Sequence, residues 1–239
     1  MANQLDEELI TILLPVMNEI TSLNLTIQRI RLENKQYEFD FLVILSPKSE
    51  ISAVNNAYEL VKQYPKDVRV LTQIHPMLGG ALADGFQNAK GAKVIMMASD
   101  LETDPSSVKH LIEMSNLHPG AIIVTTRWKG NFAGFQGYSP IKKVLNKIFQ
   151  LFIQISYQTR LSDLTYGFRL YPTAKVLDRD WTTTNFAFLL ESILVFLRQR
   201  EEIIEISTKW KARVEGESNN SWKYFITYFT LAAKIRRKK

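Results

Sequence analysis

The sequence predicts an α/β domain with a mostly parallel sheet and helices on both faces. Three observations predict it. Short runs rich in Ile, Leu and Val are apolar throughout, as strands buried on both faces must be. Helix-like segments separate them in strict alternation. The runs end in polar turns, "PVMNE", "LSPKSE" and "ASDLETD", where such sheets present their ligand sites. The chain has 239 residues, 46% of them apolar, enough for one large core. It has no cysteine, which excludes disulfides and thiolate metal sites.

In order, "LITILLPV", "FDFLVILS", "VRVLTQ", "AKVIMMAS" and "GAIIVTT" read as strands. Between them, Ser22 to Asn34, Ile51 to Tyr64, Ala81 to Ala89 and Ser106 to Leu117 read as helices. The second half differs. Ile141, Val144, Leu145, Ile148, Phe149, Phe152 and Ile155 recur at helical spacing, with Lys142, Lys143 and Lys147 at the start. A further helix is expected over Phe186 to Gln199 and a strand in "IIEISTKWKA". The tail "WKYFITYFTLAAKIRRKK" reads as an amphipathic basic helix. One domain over 1–217 with an amphipathic addition over 218–239 is the expected organisation.

The net charge of +6 is local. From Lys209 onward nine Lys or Arg stand against two Glu, a net of +7, which leaves −1 for everything before. Basicity confined to one end argues for an anionic partner there, and against a nucleic-acid protein with diffuse positive charge. The first residues have no basic segment ahead of an apolar stretch, so no secretory signal is expected. No apolar window reaches membrane-spanning length, so no transmembrane helix is expected either. Two segments, Ile141 to Ile155 and Trp222 to Ile235, have wide apolar faces bordered by Lys or Arg, the composition of helices lying in a membrane interface. Packing on the core or against a second copy is the plainer reading of each.

Three stretches carry possible chemistry. In "VIMMASDLETDP", Asp100, Glu102 and Asp104 follow a buried strand. If the chain stays extended, Asp100 and Glu102 share a side and could hold a divalent cation against a diphosphate. The plainer reading is a helix cap at Asp104–Pro105. "DLTYGFRLYP" combines Asp163, a glycine turn and Arg169; its plainer reading is a structured loop. "RVEGESNNS" offers Arg213 and hydroxyl groups to a phosphate, or simply caps a helix.

Taken in order, these motifs resemble the family 2 glycosyltransferases, and most closely the branch of dolichol-phosphate mannose synthases and polyprenyl-phosphate glycosyltransferases. The matching stretches are "P-V-M-N-E", "GGALADGFQNAKG", "ASDLETDP", "DLTYGFRLYP" and "FAFLLESILVFLRQREEIIEISTKWKARVEGES". The resemblance runs from about Thr11 to Ser218 and implies the GT-A fold. It implies donor-nucleotide contacts at Pro15, Glu19, Ser46, Ser99, Asp100 and Ser218. It implies metal ligands at Asp100 and Glu102, for Mg²⁺ or Mn²⁺. Arg127 with Lys142 or Lys143 would hold the acceptor phosphate, and Asp100, Arg127, Asp163, Arg169 and Arg213 would form the catalytic set. There are departures. Ala98 stands where the family's first acid is expected, "SPKSE" lacks the usual acids, and Asn219 replaces a Lys.

The implied activity is an inverting, metal-dependent transfer from a nucleotide-diphosphate sugar to a membrane acceptor, polyprenyl phosphate. The implied setting is the inner face of a membrane, cytoplasmic and peripheral, within reach of a membrane-embedded partner. A phosphate acceptor is already anionic and needs no general base. A hydroxyl acceptor would need one, and Asp163 is then the first candidate. The other alternative is a degenerate relative acting as a membrane-associated binding or regulatory subunit. His75, His110 and His118 read as loop, surface and capping residues.

Overall fold

The computed structural model describes residues 5–129, 140–210 and 224–237. The elements are β1 (Asp6–Val16), α1 (Thr21–Glu33), β2 (Glu38–Leu45), α2 (Ile51–Gln63), β3 (Val68–Thr72), α3 (Met77–Gln87) and β4 (Gly91–Met96). They continue with α4 (Ser107–Leu117), β5 (Ile122–Thr126), α5 (Pro140–Tyr157), β6 (Arg169–Pro172), α6 (Phe188–Arg198), β7 (Ile203–Ser207) and α7 (Tyr224–Arg237). Seven strands form one sheet in the order β3-β2-β1-β4-β6-β5-β7. The pairs β1–β2, β1–β4, β2–β3 and β5–β7 are parallel, while β6 runs antiparallel between β4 and β5.

Side-chain alternation builds a core on each face. Along β1, Ile12 and Leu14 pack with Leu23 and Ile27 of α1, Leu60 of α2 and Leu111 of α4. Leu13 points the other way, into a cluster with Leu82 and Phe86 of α3, Phe149 of α5, Phe188 of α6 and Leu231 of α7. Each strand buried on both faces is therefore apolar at consecutive positions, the pattern that betrayed it in the sequence. The chain leaves β1 toward β2 on one side and reaches β4 on the other. The crevice beyond the ends of β1 and β4 is the switch point where ligands bind in such sheets.

Three expectations are corrected. "RLYP" of the 163–172 motif is not a loop but the strand β6, too short and too polar to read as one. The expected helix at Ala81 begins earlier, at Met77, whose φ of 64° turns the chain into it. The C-terminal helix forms, but Tyr228, Leu231, Ala232 and Ile235 are buried in the second core cluster. Phe149 packs on both Tyr228 and Phe229, and Tyr157 donates its hydroxyl to the Ala232 carbonyl at 2.7 Å. Burial pushes that phenol up to about 12. This face of α7 is thus taken by the protein itself rather than left for a membrane. The expected boundary at 217/218 lies outside the described residues.

Gly91 opens β4 where it meets β1. A Cβ there would sit 2.2 Å from the Leu9 carbonyl oxygen. Gly91→Ala is therefore expected to destabilise the domain by about 1–3 kcal/mol, the cost of overpacking a rigid neighbour. Urea denaturation measures it, and an unchanged midpoint would refute the close approach.

Candidate active site

The ends of β1, β2 and β4 are stitched together by hydroxyl groups. Ser99 donates its Oγ–H to the Pro15 carbonyl at 2.8 Å. Ser49 does the same to the Val16 carbonyl at 2.7 Å, while its Oγ accepts from the Ser46 amide at 2.9 Å. Ser46 Oγ accepts from Lys48 N–H, so the turn after β2 is closed on itself and on β1. Glu19 curls back, its Oε2 accepting from the amides of Met17 (2.7 Å) and Asn18 (3.1 Å). The structure thereby brings Pro15, Glu19, Ser46, Ser99 and Asp100 to one edge of the sheet. Glu19 shapes the loop there with one oxygen of its carboxylate.

The acidic turn differs from the extended segment that would set Asp100 and Glu102 side by side. β4 ends at Met96, and Leu101 adopts φ 61°, a left-handed conformation that costs a branched residue energy. Asp100 is 5% exposed, and its Oδ1 accepts from the Glu102 amide at 3.0 Å. Asp104 takes its plainer role: its Oδ1 accepts from Ser106 N–H at 3.1 Å ahead of α4. Among the described residues no group of three or more His, Cys, Asp or Glu gathers as a metal cluster. Asp100 and Glu102 are then the carboxylates at this turn. Their hard oxygen donors suit Mg²⁺ or Mn²⁺, provided other oxygens complete the coordination.

A second group sits at the end of β5. Arg127 grips Asp163 in a bidentate pair, Nε to Oδ2 at 2.7 Å and an Nη to Oδ1 at 3.0 Å, and its backbone N–H also points at Oδ2 (3.3 Å). Asp163 is 1% exposed. Its loop is held by Glu205 of β7, whose carboxylate accepts from the amides of Ser162 and Asp163 and from Ser162 Oγ. Lys129 pairs with the same carboxylate at 2.7 Å. Thr126 and Ser162 share a hydroxyl contact at 2.7 Å.

Tyr166 joins the two groups. The Arg127 guanidinium lies 4.6 Å from its ring centre, and its hydroxyl meets Thr103 Oγ1 at 2.6 Å. Burial holds the phenol well above its usual range, so it stays neutral. Gln150 of α5 completes the wall. It accepts from Leu164 N–H and donates to Thr165 Oγ1, each at 2.9 Å.

Arg169, expected in the catalytic set, is taken up by the packing of the fold. It is wholly buried and donates to the carbonyls of Leu189 and Leu164 and to Ser192 Oγ, holding β6 to α6. Asp163 is poorly placed as a base, since both of its oxygens already accept from Arg127. Lys143 lies in α5, near its start. The Lys142 side chain, Arg213 and Ser218 lie outside the described residues. Glu205, Tyr166 and Thr103 escaped assignment from the sequence; a carboxylate in the middle of the apolar strand "IIEIS" was the available signal for Glu205.

The sequence model of glycosyl transferase family 2 matches residues 11–178. Solved structures of glucosyl-3-phosphoglycerate synthase from Mycobacterium tuberculosis share the fold. Its complex with Mn²⁺, UDP-glucose and phosphoglyceric acid has a TM-score of 0.72 at 12% identity, covering 96% of this chain and 80% of that one. The complex with Mn²⁺, UDP-glucose and glycerol 3-phosphate gives 0.68 at 12%, covering 95% and 78%. The complex with Mg²⁺ and UDP gives the same figures.

Replacing Arg169 with Met should strand buried carbonyls and cost about 3 kcal/mol or more of stability. Metal-dependent nucleotide binding by the folded fraction should persist. Calorimetry and titration separate the two, and lost binding with intact stability would restore Arg169 to the catalytic set.

Proposed function

The chain belongs to glycosyl transferase family 2, and from that premise we propose that it transfers a sugar, with inversion, from a nucleoside diphosphate sugar to polyprenyl phosphate at a membrane. The donor would lie across the ends of β1, β2 and β4, against Pro15, Glu19, Ser46 and Ser99. Asp100 and Glu102 would hold Mg²⁺ or Mn²⁺, which when bound neutralises charge on the diphosphate leaving group. The structurally similar synthase binds these ions with UDP and UDP-glucose, which supports the donor and the metal.

One observation carries the choice of acceptor. Both oxygens of Asp163 are engaged by Arg127, so the carboxylate expected to serve as the base is a poor proton acceptor. A phosphate acceptor needs none, because its oxygen is already anionic. That oxygen attacks the anomeric carbon as the bond to the nucleoside diphosphate breaks, and the electron pair leaves with the diphosphate. The work left to the protein is positioning and charge stabilisation. The bidentate pair and the ring of Tyr166 fix the Arg127 guanidinium beside the site, and Lys143 would add charge at the acceptor end. A small phosphorylated alcohol is a second reading, favoured because the similar synthase was solved with phosphoglyceric acid and with glycerol 3-phosphate. We also propose the peripheral membrane setting, and 218–239 as a distinct C-terminal addition.

Thermal shift against a panel of nucleoside diphosphates, with and without Mn²⁺, tests the donor site. Metal-dependent stabilisation should occur for at least one nucleotide and vanish in Asp100→Ala; no response to any nucleotide would sink the reading. With a radiolabelled sugar donor, label should enter the organic phase when polyprenyl phosphate is supplied. Label found solely in water-soluble product with glycerol 3-phosphate would overturn the lipid acceptor.

A further inference from the structure

Helix α5 carries an apolar surface that the fold does not use. Phe149 and Ile153 point into the core, while Val144, Leu145, Ile148, Leu151, Phe152 and Ile155 are between 46% and 71% exposed. Thirteen large apolar side chains are exposed among the described residues, and six of them stand on this one helix, at positions that form a single stripe. The other seven are spread from Met17 to Leu117, with no more than two on any one element.

The charge around the stripe identifies what covers it. Residues 140–160 contain Lys142, Lys143, Lys147 and Arg160 and no acid; residues 224–239 contain five Lys or Arg and no acid. α7 packs beside α5 through Phe229, which touches both Phe149 and Phe152, so the two basic segments flank one surface. A second copy of the same face would bring like charges together and is disfavoured.

We infer that the α5 stripe docks on an anionic phospholipid bilayer, with the basic residues of α5 and α7 at headgroup level. Geometry ties this to the site. The start of α5 lies beside the Arg127 region, with Lys147 Nζ 4.9 Å from the ring centre of Trp128, and Gln150 anchors the Asp163 loop. Docking along α5 sets the end of β5 against the membrane. The inference deepens the reading above and rests on it for the acceptor, but docking is measurable without catalysis.

The test is flotation of the full chain with vesicles of phosphatidylcholine alone or mixed with phosphatidylglycerol. The chain should float with the mixed vesicles, and less so in high salt. Ile148→Glu combined with Leu151→Glu should weaken binding about tenfold or more. Both positions are solvent-exposed, so the unfolding midpoint and metal-dependent nucleotide binding should be unchanged in the variant. Equal flotation of variant and wild type, or no flotation with acidic vesicles, would overturn the proposal. So would a wild-type dimer that the variant dissolves without any vesicle binding. Flotation without any nucleotide response would leave docking standing and defeat the donor reading alone.

Discussion

The half of the sheet that carries the second part of the site depends on the ion pair between Arg127 and Asp163. A carboxylate this deeply buried is costly unless an opposite charge and several donors meet it. Arg127 supplies both, with two side-chain bonds and its own backbone N–H. Glu205 then fixes the loop that carries Asp163 by collecting the amides of residues 162 and 163. The end of β5, the 161–166 loop and the middle of β7 become one unit, and the guanidinium inherits its rigidity from them. A group held this way stabilises charge without having to reorganise.

The same loop leads into β6, the one strand that runs against its neighbours. An antiparallel insertion between β4 and β5 brings the Asp163 loop back to the end of the sheet where β4 and β5 deliver their own polar turns. The insertion is stabilised by Arg169, whose guanidinium satisfies carbonyls of the 161–166 loop and of α6 at once. The arginine most tempting as a catalyst is therefore a construction element, and on the proposed function the cation at the acceptor end is Arg127.

The parallel half was legible because burial on both faces imposes consecutive apolar residues, as in "FLVIL" of β2 and "VIM" of β4. The inserted strand β6 was not, because Arg169 and Pro172 leave two apolar residues between them, and only the buried carbonyls explain an arginine in a strand. The tail helix was legible, but its partner was not: an amphipathic face looks alike whether it meets lipid or a neighbouring helix. Three-dimensional packing assigns the α7 face to the core and leaves the α5 face open. In the site, the residues proposed for the donor stood out because they lie at strand ends. Glu205 and Tyr166 were missed because their role lies in hydrogen bonds across 42 to 63 positions of sequence, which no local pattern records.

The acidic turn shows how a departure in sequence changes the chemistry available. Ala98 cannot ligate, and the left-handed Leu101 turns the chain between Asp100 and Glu102 instead of lining them up. The amide of Glu102 fixes Asp100, so one carboxylate is oriented before any ligand arrives. Two carboxylates leave most positions of a hard divalent ion to other oxygens. On the proposed function these come from the donor diphosphate and from water. Metal and nucleotide would then bind as a coupled pair, each raising the affinity of the other by the same factor. A turn with fewer acids does not abolish metal binding so much as make it conditional on the substrate.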